Sequence, residues 1–518
     1  MTCPPFLTPL LLGATLVCCA QSPRDKSKPP QPKSPQEVKK VNEIKPKPSG
    51  SGLLNIKLNA AASETIVGAS IPVRVTVQNP GDGLAIVDDR ESQSPFVFEL
   101  RDTTREAVLR FSAENFKQNI FREPPPPVEP RTSPLIPGEE VHRDEDVAEY
   151  ALVPPPAGNY VLSASYLFNR ARLVTDPVPL RIVAPKPLGL AVVSSGDGQR
   201  LGSILLHQDA AGVTVYQRES FSNNPAVGVL RPRKQVAGDA SVAIATDAGR
   251  SNEYRWFAWL SGERLQIAQA WGRDQLFATE PAAIGLQQSR LVAHGWTFDN
   301  NVVVFLAVGR IGNRTHLKVA EVAKRKGPSL REIDLAAAMP VHIVAGVTSS
   351  GNEKRIRVVW TEAGAAGVTR IMTRSFTPDG PPDEARLLFE RALPVAALAI
   401  PAIQHEGASM VNVLLSSGPN QRPAVIRISL ETGKLEAGLE LAALGDHKPV
   451  DWAIEAEAWP PRIVMCTRNE VLETTAGSGS WTMLAKSANP SFPRIEKTSA
   501  PWAVWADTEQ GLRYLPLP

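Results

Sequence analysis

The chain has 518 residues, 47 of them proline and 36 glycine, with 43% hydrophobic, 21% charged and 6% aromatic side chains. Proline at that density ends helices too often for a coiled coil or a helical bundle. The length allows roughly three domains, or fewer if one is a large all-β unit. The net charge of +3 is unevenly placed: residues 23–48 hold eight basic and three acidic side chains, a local +5, so residues from Gly50 onward sum to −2. A near-neutral body has no electrostatic footprint for nucleic acid.

Residues 6–20 form an apolar run too short to span a bilayer, where about 20 residues are needed, and of the length of a signal-peptide core. Polar, proline-rich sequence follows. Export is therefore expected, although no Lys or Arg precedes the run. Cys3, Cys18 and Cys19 lie in this segment, which leaves Cys466 alone in the body. A body with one cysteine folds without disulfides, and Cys466, in an apolar strand, reads as a buried core thiol.

Leu16-Val17-Cys18-Cys19 resembles the lipobox of bacterial lipoproteins, with Leu three places before the modified cysteine. It departs from that pattern in carrying Cys18 where Gly, Ala or Ser is usual. The resemblance implies lipid attachment at Cys19 and a lipoprotein of the cell envelope, facing periplasm or exterior. The competing reading is plain cleavage after Ala20 and a secreted soluble protein. Residues 21–50 contain seven prolines and almost no large apolar side chains, so they are expected to stay extended and disordered, as a tether.

From Leu53 the apolar period becomes two. Ile71-Pro-Val73-Arg-Val75-Thr-Val77 alternates and then meets the turn Asn79-Pro80-Gly81-Asp82-Gly83. Further strands are expected at 53–59, 84–88, 95–101, 106–111, 148–152, 159–167 and 177–184. Gly158-Asn-Tyr160-Val-Leu162 resembles the tyrosine-corner strand of immunoglobulin-like sandwiches. Together with Phe96-Val-Phe98-Glu-Leu100, Pro137-Gly138-Glu139 and the Val75 motif, it resembles the bacterial module of intracellular proteinase inhibitors over roughly 65–167. That resemblance implies the fold far more than inhibition. The stretch 112–147 reads as a long loop whose carboxylates match no EF-hand, hence as a solvated acidic loop.

From 187 to 518 apolar strands end near His207, Trp259, Leu306, Trp360, Leu415, Cys466 and Trp505, at spacings of 52, 47, 54, 55, 51 and 39 residues. Each is followed in most cases by a polar turn and a second strand. Four-stranded blades around an axis produce this pattern, at about 47 residues per unit for seven blades and about 55 for six; seven fits more closely. The tryptophans at 259, 360 and 505 recur at one repeat position and so belong to blade cores rather than to a sugar platform.

The strand pairs Arg357-Val-Val-Trp360-Thr-Glu362 and Pro501-Trp-Ala-Val-Trp505-Ala-Asp507 resemble the sialidase-like, Asp-box type of bacterial propeller. The nearest Asp-box stretch, Thr474-Thr-Ala476-Gly477-Ser-Gly479-Ser480-Trp481, has Ala at the aspartate position. Phe492-Pro493-Arg494-Ile495 echoes the family's arginine-bearing segment with a proline inserted, and reads as a strand start. Tyr216, Tyr254 and Tyr514 sit in no recognisable nucleophile constellation.

The seven histidines form no zinc motif, a thiolate metal site is out of reach, and no phosphate-binding glycine loop or nucleophile elbow occurs. No catalytic residue, metal or cofactor is therefore assigned. The combined expectation is an all-β protein. A leader occupies 1–20, a linker 21–50, an immunoglobulin-like β-sandwich 51–185 and a six- or seven-bladed β-propeller 187–518. It is expected to act as a non-enzymatic binding or scaffold protein, contacting the membrane only through its lipid anchor. The turns after the repeat-marking strands carry Arg310, Arg314, Arg422 and Arg468, the candidate contacts for a protein or glycan of the envelope. The alternatives are a sialidase-like glycoside hydrolase and a proteinase inhibitor acting through the immunoglobulin-like module.

Overall fold

The computed structural model describes residues 54–517 apart from internal stretches, chiefly 89–93, 113–131, 195–199, 222–227, 248–255 and 417–421. The described residues belong to one compact unit, Pro48–Pro518. Cys19, the leader and the linker lie outside them. The protein is all-β: a single 3-10 turn, Val147–Tyr150, is the only helix among the described residues. No helix there is long and apolar enough to cross a membrane.

Up to Val183 the strands form two main sheets. One joins Asn55–Ala60, Pro72–Gln78 and Glu140–Asp146; the other joins Glu64–Ile66, Val178–Val183, Gly158–Phe168, Phe96–Asp102 and Val108–Ser112. Alternation makes each a one-faced sheet, with Val73, Val75 and Val77 on the first and Phe96, Phe98, Leu100 and Leu162 on the second meeting in one core. The Tyr160 hydroxyl donates to the Pro156 carbonyl at 2.8 Å, tying its strand to upstream backbone.

Two local expectations are corrected. The strand expected at 148–152 is the 3-10 turn, capped by Asp146, whose carboxylate accepts from the Ala148 N–H at 3.2 Å. The acidic stretch expected to be loop contains the strand Glu140–Asp146, register-paired to Pro72–Gln78. Its charges misled the reading because an edge strand can carry them on its solvent face, as Arg74 and Asp144 show with an exposed pair at 2.7 Å.

From Pro187 onward consecutive antiparallel meanders begin with the strands Pro187–Ser194, Ala240–Asp247, His294–Phe298, Ile343–Ser350, Val395–Ala399, Asp451–Ile454 and Ser491–Lys497. The repeat-marking strands are the second strand of each meander: Arg200–Asp209, Trp256–Ser261, Val302–Ile311, Glu353–Ala363, Met410–Leu415, Arg462–Cys466 and Pro501–Asp507. They are the most apolar because both their faces are covered. Trp259, Trp360 and Trp505 are accordingly buried in the cores between meanders. Their polar edges are satisfied where they can be: the indole N–H of Trp360 donates to Glu362 Oε1 at 2.8 Å and that of Trp505 to Ser487 Oγ at 3.0 Å.

The first strands pack on one another in chain order, and the last, Ser491–Lys497, packs on the first, Pro187–Ser194. The arrangement is propeller-like, and its closing seam lies between these two strands. Among the described residues the final meander has three strands, and its outer strand Gly511–Pro516 has no fourth strand beside it. The N-terminal region lies against this place: Ile66 and Ala69 share a core with Leu190, Val192, Val504, Ala506 and Leu512. Backbone bonds join Ser70 N–H to the Leu230 carbonyl and Leu230 N–H to the Gly68 carbonyl, at 2.9 and 3.0 Å. Arg231 forms ion pairs with Asp146 and Glu149.

Gly511 sits in this contact with φ at +79°, and a Cβ there would stand 2.7 Å from the Val67 carbonyl oxygen. Gly262 has φ at +58° with nothing within 4 Å of the same position. Gly262→Ala should therefore cost about 1 kcal/mol, the backbone term alone. Gly511→Ala should cost clearly more, because backbone must also move. Comparing the two in denaturant melts checks this; equal losses would mean that the N-terminal region is not seated on the seam as described.

Candidate functional site

The first strands of six of the meanders line a cavity of about 820 Å³ on the ring's axis. A strand facing an axis presents every second side chain to it. On Ser491–Lys497 that alternation sends Arg494 and Glu496 to the same side, while Ile495 joins the core behind. The register is set by a bulge: pairing with Pro501–Asp507 shifts between Ser491 and Arg494, and Phe492 holds φ at +53°. A bulky residue in that conformation is strained, and bulges commonly re-aim a side chain. Here the Phe492 N–H donates to Asp451 Oδ2 at 3.1 Å.

Asp451 opens the neighbouring strand Asp451–Ile454. Its Oδ1 accepts from the Trp452 N–H at 2.8 Å, so two backbone donors fix the carboxylate. The Arg494 Nη1 donates to the Pro493 carbonyl at 2.8 Å. Among the described residues no carboxylate oxygen lies within ion-pair reach of Arg494, although Asp451 and Glu496 are close enough to favour its charge against the burial that opposes it. Glu457 and Lys497 pair at 3.4 Å on the rim.

Burial sets the protonation of the cavity. It pushes the Glu496 carboxyl up to about 8; the polar groups of Ser194 and the charge of Arg494 act against it, and Glu457 adds to it. The Glu496 side chain is 15% exposed. Burial, reinforced by Arg494, pushes the His294 imidazole down to about 4. His294 Nε2 stands 4.0 Å from Glu496 Oε1, but near neutral pH one partner is an uncharged imidazole and the other a carboxylic acid, so this is not an ion pair. The His294 Nδ1 has no hydrogen-bond partner among the described residues. The cavity therefore offers a proton donor, a carboxylate held by backbone and a guanidinium with unfilled donors.

None of the residues proposed from the sequence as ligand contacts lines this cavity. Arg310 lies in Val302–Ile311 opposite Thr315 and Gln287. Arg314, in the next strand, is engaged by Asp334 at 2.6 Å. Arg422 and Arg468 are exposed on connections between second and third strands. Cys19 lies outside the described residues. Phe492-Pro493-Arg494-Ile495, read as a strand start, does open an inner strand, and it also delivers Arg494 to the axis. Sequence reasoning missed Glu496 and Asp451. The available signal was the polar alternation Arg494-Ile495-Glu496 on the strand preceding the repeat-marking Pro501–Asp507. The cysteine reading agrees with the structure: Cys466 is a buried free thiol.

No family model matches the chain, and no curated protein matches it. Among solved structures it is similar to AofleA from Arthrobotrys oligospora, at 13% identity over 58% of this chain and 85% of that one, with a TM-score of 0.38. It is similar to NanB in a structure with Optactamide, at 9% identity over 83% and 91%, with a TM-score of 0.32. It is also similar to the α-L-arabinofuranosidase Arb93A from Fusarium graminearum, at 11% identity over 64% and 93%, with a TM-score of 0.34. These are likenesses of general shape. Enzymes are among the similar structures, and the cavity itself gathers Glu496, Asp451, His294 and Arg494 in one wall, so the expectation of a non-enzymatic protein is withdrawn. The physical reason for the error is that a constellation spread over several strands leaves no contiguous motif.

Two opposed pH dependences follow from the cavity. Glu496 holds its proton more tightly folded, at about 8, than unfolded, near 4.5, so its contribution is complete below that lower value and is lost as pH rises through about 8. His294 binds its proton less tightly folded, at about 4, than unfolded, near 6.5, so its contribution is present above 6.5 and lost as pH falls toward 4. The two offset each other at mildly acidic pH, leaving Glu496 alone above pH 6.5. Relative to Glu496→Gln, the wild-type melting midpoint should fall from pH 6.5 to 8. Calorimetry across that interval checks the sign; parallel curves would contradict the assigned burial of Glu496.

Proposed function

We propose that the chain is a glycoside hydrolase acting in the axial cavity, with Glu496 as general acid and Asp451 as its carboxylate partner. The observation that carries this reading is Glu496: a carboxyl in a cavity, still protonated near neutral pH, whose wall also holds Asp451, a second carboxyl fixed by two backbone N–H groups. Two carboxyl groups in contrasting environments are the requirement of glycosidic bond cleavage. The Glu496 proton passes to the glycosidic oxygen as its bond to the anomeric carbon breaks, and Asp451 balances the positive charge that develops on that carbon. Water then supplies the hydroxyl to the sugar, and its proton returns to the acid.

Arg494 defines the substrate class. A guanidinium with no carboxylate in ion-pair reach among the described residues suits an anionic group on the sugar, which it can grip with two parallel bonds. Among the described residues, which do not include Tyr254, the arginine triad and tyrosine nucleophile of a sialidase are not supported. Arg290, the other arginine of the cavity wall, donates to the Pro340 and Val341 carbonyls at 2.7 and 2.9 Å, and Tyr216 and Tyr514 lie in other clusters. Around this site the reading places a seven-bladed propeller over 187–518, supported by the meander order. An immunoglobulin-like sandwich over 51–185 is supported by the two-sheet core and the Tyr160 bond. Export with lipid attachment at Cys19, and a substrate among acidic glycans of the envelope, rest on the leader sequence.

The test is turnover of a panel of chromogenic glycosides, acidic and neutral. Wild type should cleave acidic members with activity falling as pH rises through about 8. Glu496→Gln should lose about 10²–10⁴-fold in kcat. Arg494→Ala should raise KM for acidic substrates while leaving neutral analogues unaffected. A wild-type protein inert on the whole panel, or a Glu496→Gln variant with full activity, overturns the reading.

A further inference from the structure

A second set of polar atoms in the cavity wall gathers where Arg290 and His342 meet. Arg290 lies in Gln287–Leu291, which pairs with Val302–Ile311, and reaches across to the next meander: its Nη2 donates to the Pro340 and Val341 carbonyls at 2.7 and 2.9 Å. Those two bonds use both hydrogens of Nη2. The Nε is buried without a partner, whereas Nη1 is not buried and has no partner among the described residues either. Burial opposes the charge of Arg290, and among the described residues no carboxylate lies within ion-pair reach of it. His342 follows the second of the two carbonyls in the chain. Its N–H donates to Thr361 Oγ1 at 3.1 Å, and its Nε2 stands 2.9 Å from the Val395 carbonyl of the meander beyond. A carbonyl only accepts, so Nε2 carries the proton and Nδ1 presents a lone pair. That Nδ1 is likewise unburied and without a partner among the described residues. Burial keeps the ring from taking a second proton; the Val395 carbonyl and Asp451 act against burial, and Arg290 acts with it. Val341, between the two side chains, is 72% exposed, which places this corner at the cavity's mouth.

We propose that Arg290 and His342 form an outer subsite for a second acidic sugar, so that the ligand of this cavity is an acidic oligosaccharide with at least two charged units. The identity of the ligand as a sugar rests on the hydrolase reading above; the subsite itself rests on the two open polar atoms. Each wall group matches one part of an acidic sugar ring. Arg290 Nη1 donates to the carboxylate, His342 Nδ1 accepts from a hydroxyl, and Val341 covers a C–H face. A guanidinium held only by carbonyls favours an anion over a neutral ring. The volume of about 820 Å³ lies in the upper part of the range of small-ligand sites, about 300–1,000 Å³, which leaves room beyond the sugar at Glu496. Arg494, fixed to the Pro493 carbonyl of its own strand, takes the acidic group of that inner sugar, and Arg290, fixed to carbonyls of a different meander, takes that of its neighbour. A clip between meanders would need the Nη2 bonds alone.

The test is calorimetric binding of galacturonic acid and of N-acetylneuraminic acid, each as monomer, dimer and trimer, to the full chain carrying Glu496→Gln so that no bond is cleaved. Neutral galactose oligomers of equal length are the controls. Affinity should rise about tenfold from monomer to dimer or trimer in at least one acidic series, the worth of one hydrogen bond to a charged group, and should not rise in the neutral series. Adding Arg290→Gln should abolish that gain and leave monomer affinity in place, and Arg290→Lys, which restores the charge, should recover part of it. His342→Gln keeps a donor at the Nε2 position and removes the Nδ1 acceptor, so it should lower the gain with the melting midpoint unchanged. No length gain in either acidic series, or a gain that survives both Arg290→Gln and His342→Gln, overturns the proposal. So does an Arg290→Gln protein whose midpoint falls while monomer and oligomers weaken equally, because Arg290 is then a clip only. If the gain is present while the wild type cleaves no glycoside, the hydrolase reading fails and the subsite stands. If acidic glycosides are cleaved and length changes nothing, the subsite fails and the hydrolase reading stands.

Discussion

Closure of the ring between Pro187–Ser194 and Ser491–Lys497 is the constraint on which the rest of the structure depends. A meander of three or four strands has two apolar faces and cannot cover both alone. Each therefore buries one face on the meander before it and one on the meander after it, and the first and last must meet or leave two faces in water. The cores record this sharing. Val192 and Leu205 from the first meander lie with Val504 and Ala506 from the last, and Trp360 lies with residues of the meander before it. Because the chain closes without sharing one sheet between its ends, the seam depends on side-chain packing, and the N-terminal region adds Ile66 and Ala69 at that place.

The same closure creates the chemistry. Inner strands that meet around an axis cannot fill it completely, and the residual cavity is walled by strand faces that partly screen it from bulk water. In such a place a carboxyl keeps its proton and an imidazole loses one, which is what burial does to Glu496 and His294. Arg494 remains charged throughout, since a guanidinium does not give up its proton in proteins. Neutral acid and neutral base thus follow from one cause, exclusion of water, while the cation persists against it because its ordinary range lies so high.

Much of the architecture was legible in the sequence because the second strand of each meander is covered on both faces and reads as a continuous apolar run. Val303-Val304-Phe305-Leu306 and Ile463-Val464-Met465-Cys466 are such runs, and their spacing carried the repeat. Inner strands were harder to see, since a half-exposed face admits polar residues: Ser491–Lys497 contains a proline, an arginine and a glutamate. The edge strand Glu140–Asp146 was hidden for a related reason, its solvent face being charged. Tyr160 was legible from Gly158-Asn-Tyr160 alone, because its bond to Pro156 is local, spanning four residues. The site was not, because Ser194, His294, Asp451 and Glu496 are brought together by topology and nothing local in the sequence marks their meeting.

The strained bulge at Phe492 connects these levels. A regular strand from Ser491 to Lys497 would pair residue for residue with Pro501–Asp507, and every side chain beyond the missing extra residue would exchange faces. The insertion of one residue, with Phe492 at positive φ, is therefore what brings Arg494 and Glu496 to the axis and Ile495 to the core. The cost of that backbone conformation, of order 1–3 kcal/mol, is offset locally by the bond from the Phe492 N–H to Asp451. One conformation thus orients the proposed acid through register and its carboxylate partner through a hydrogen bond, so the two groups are set relative to each other by backbone geometry rather than by free side-chain rotation.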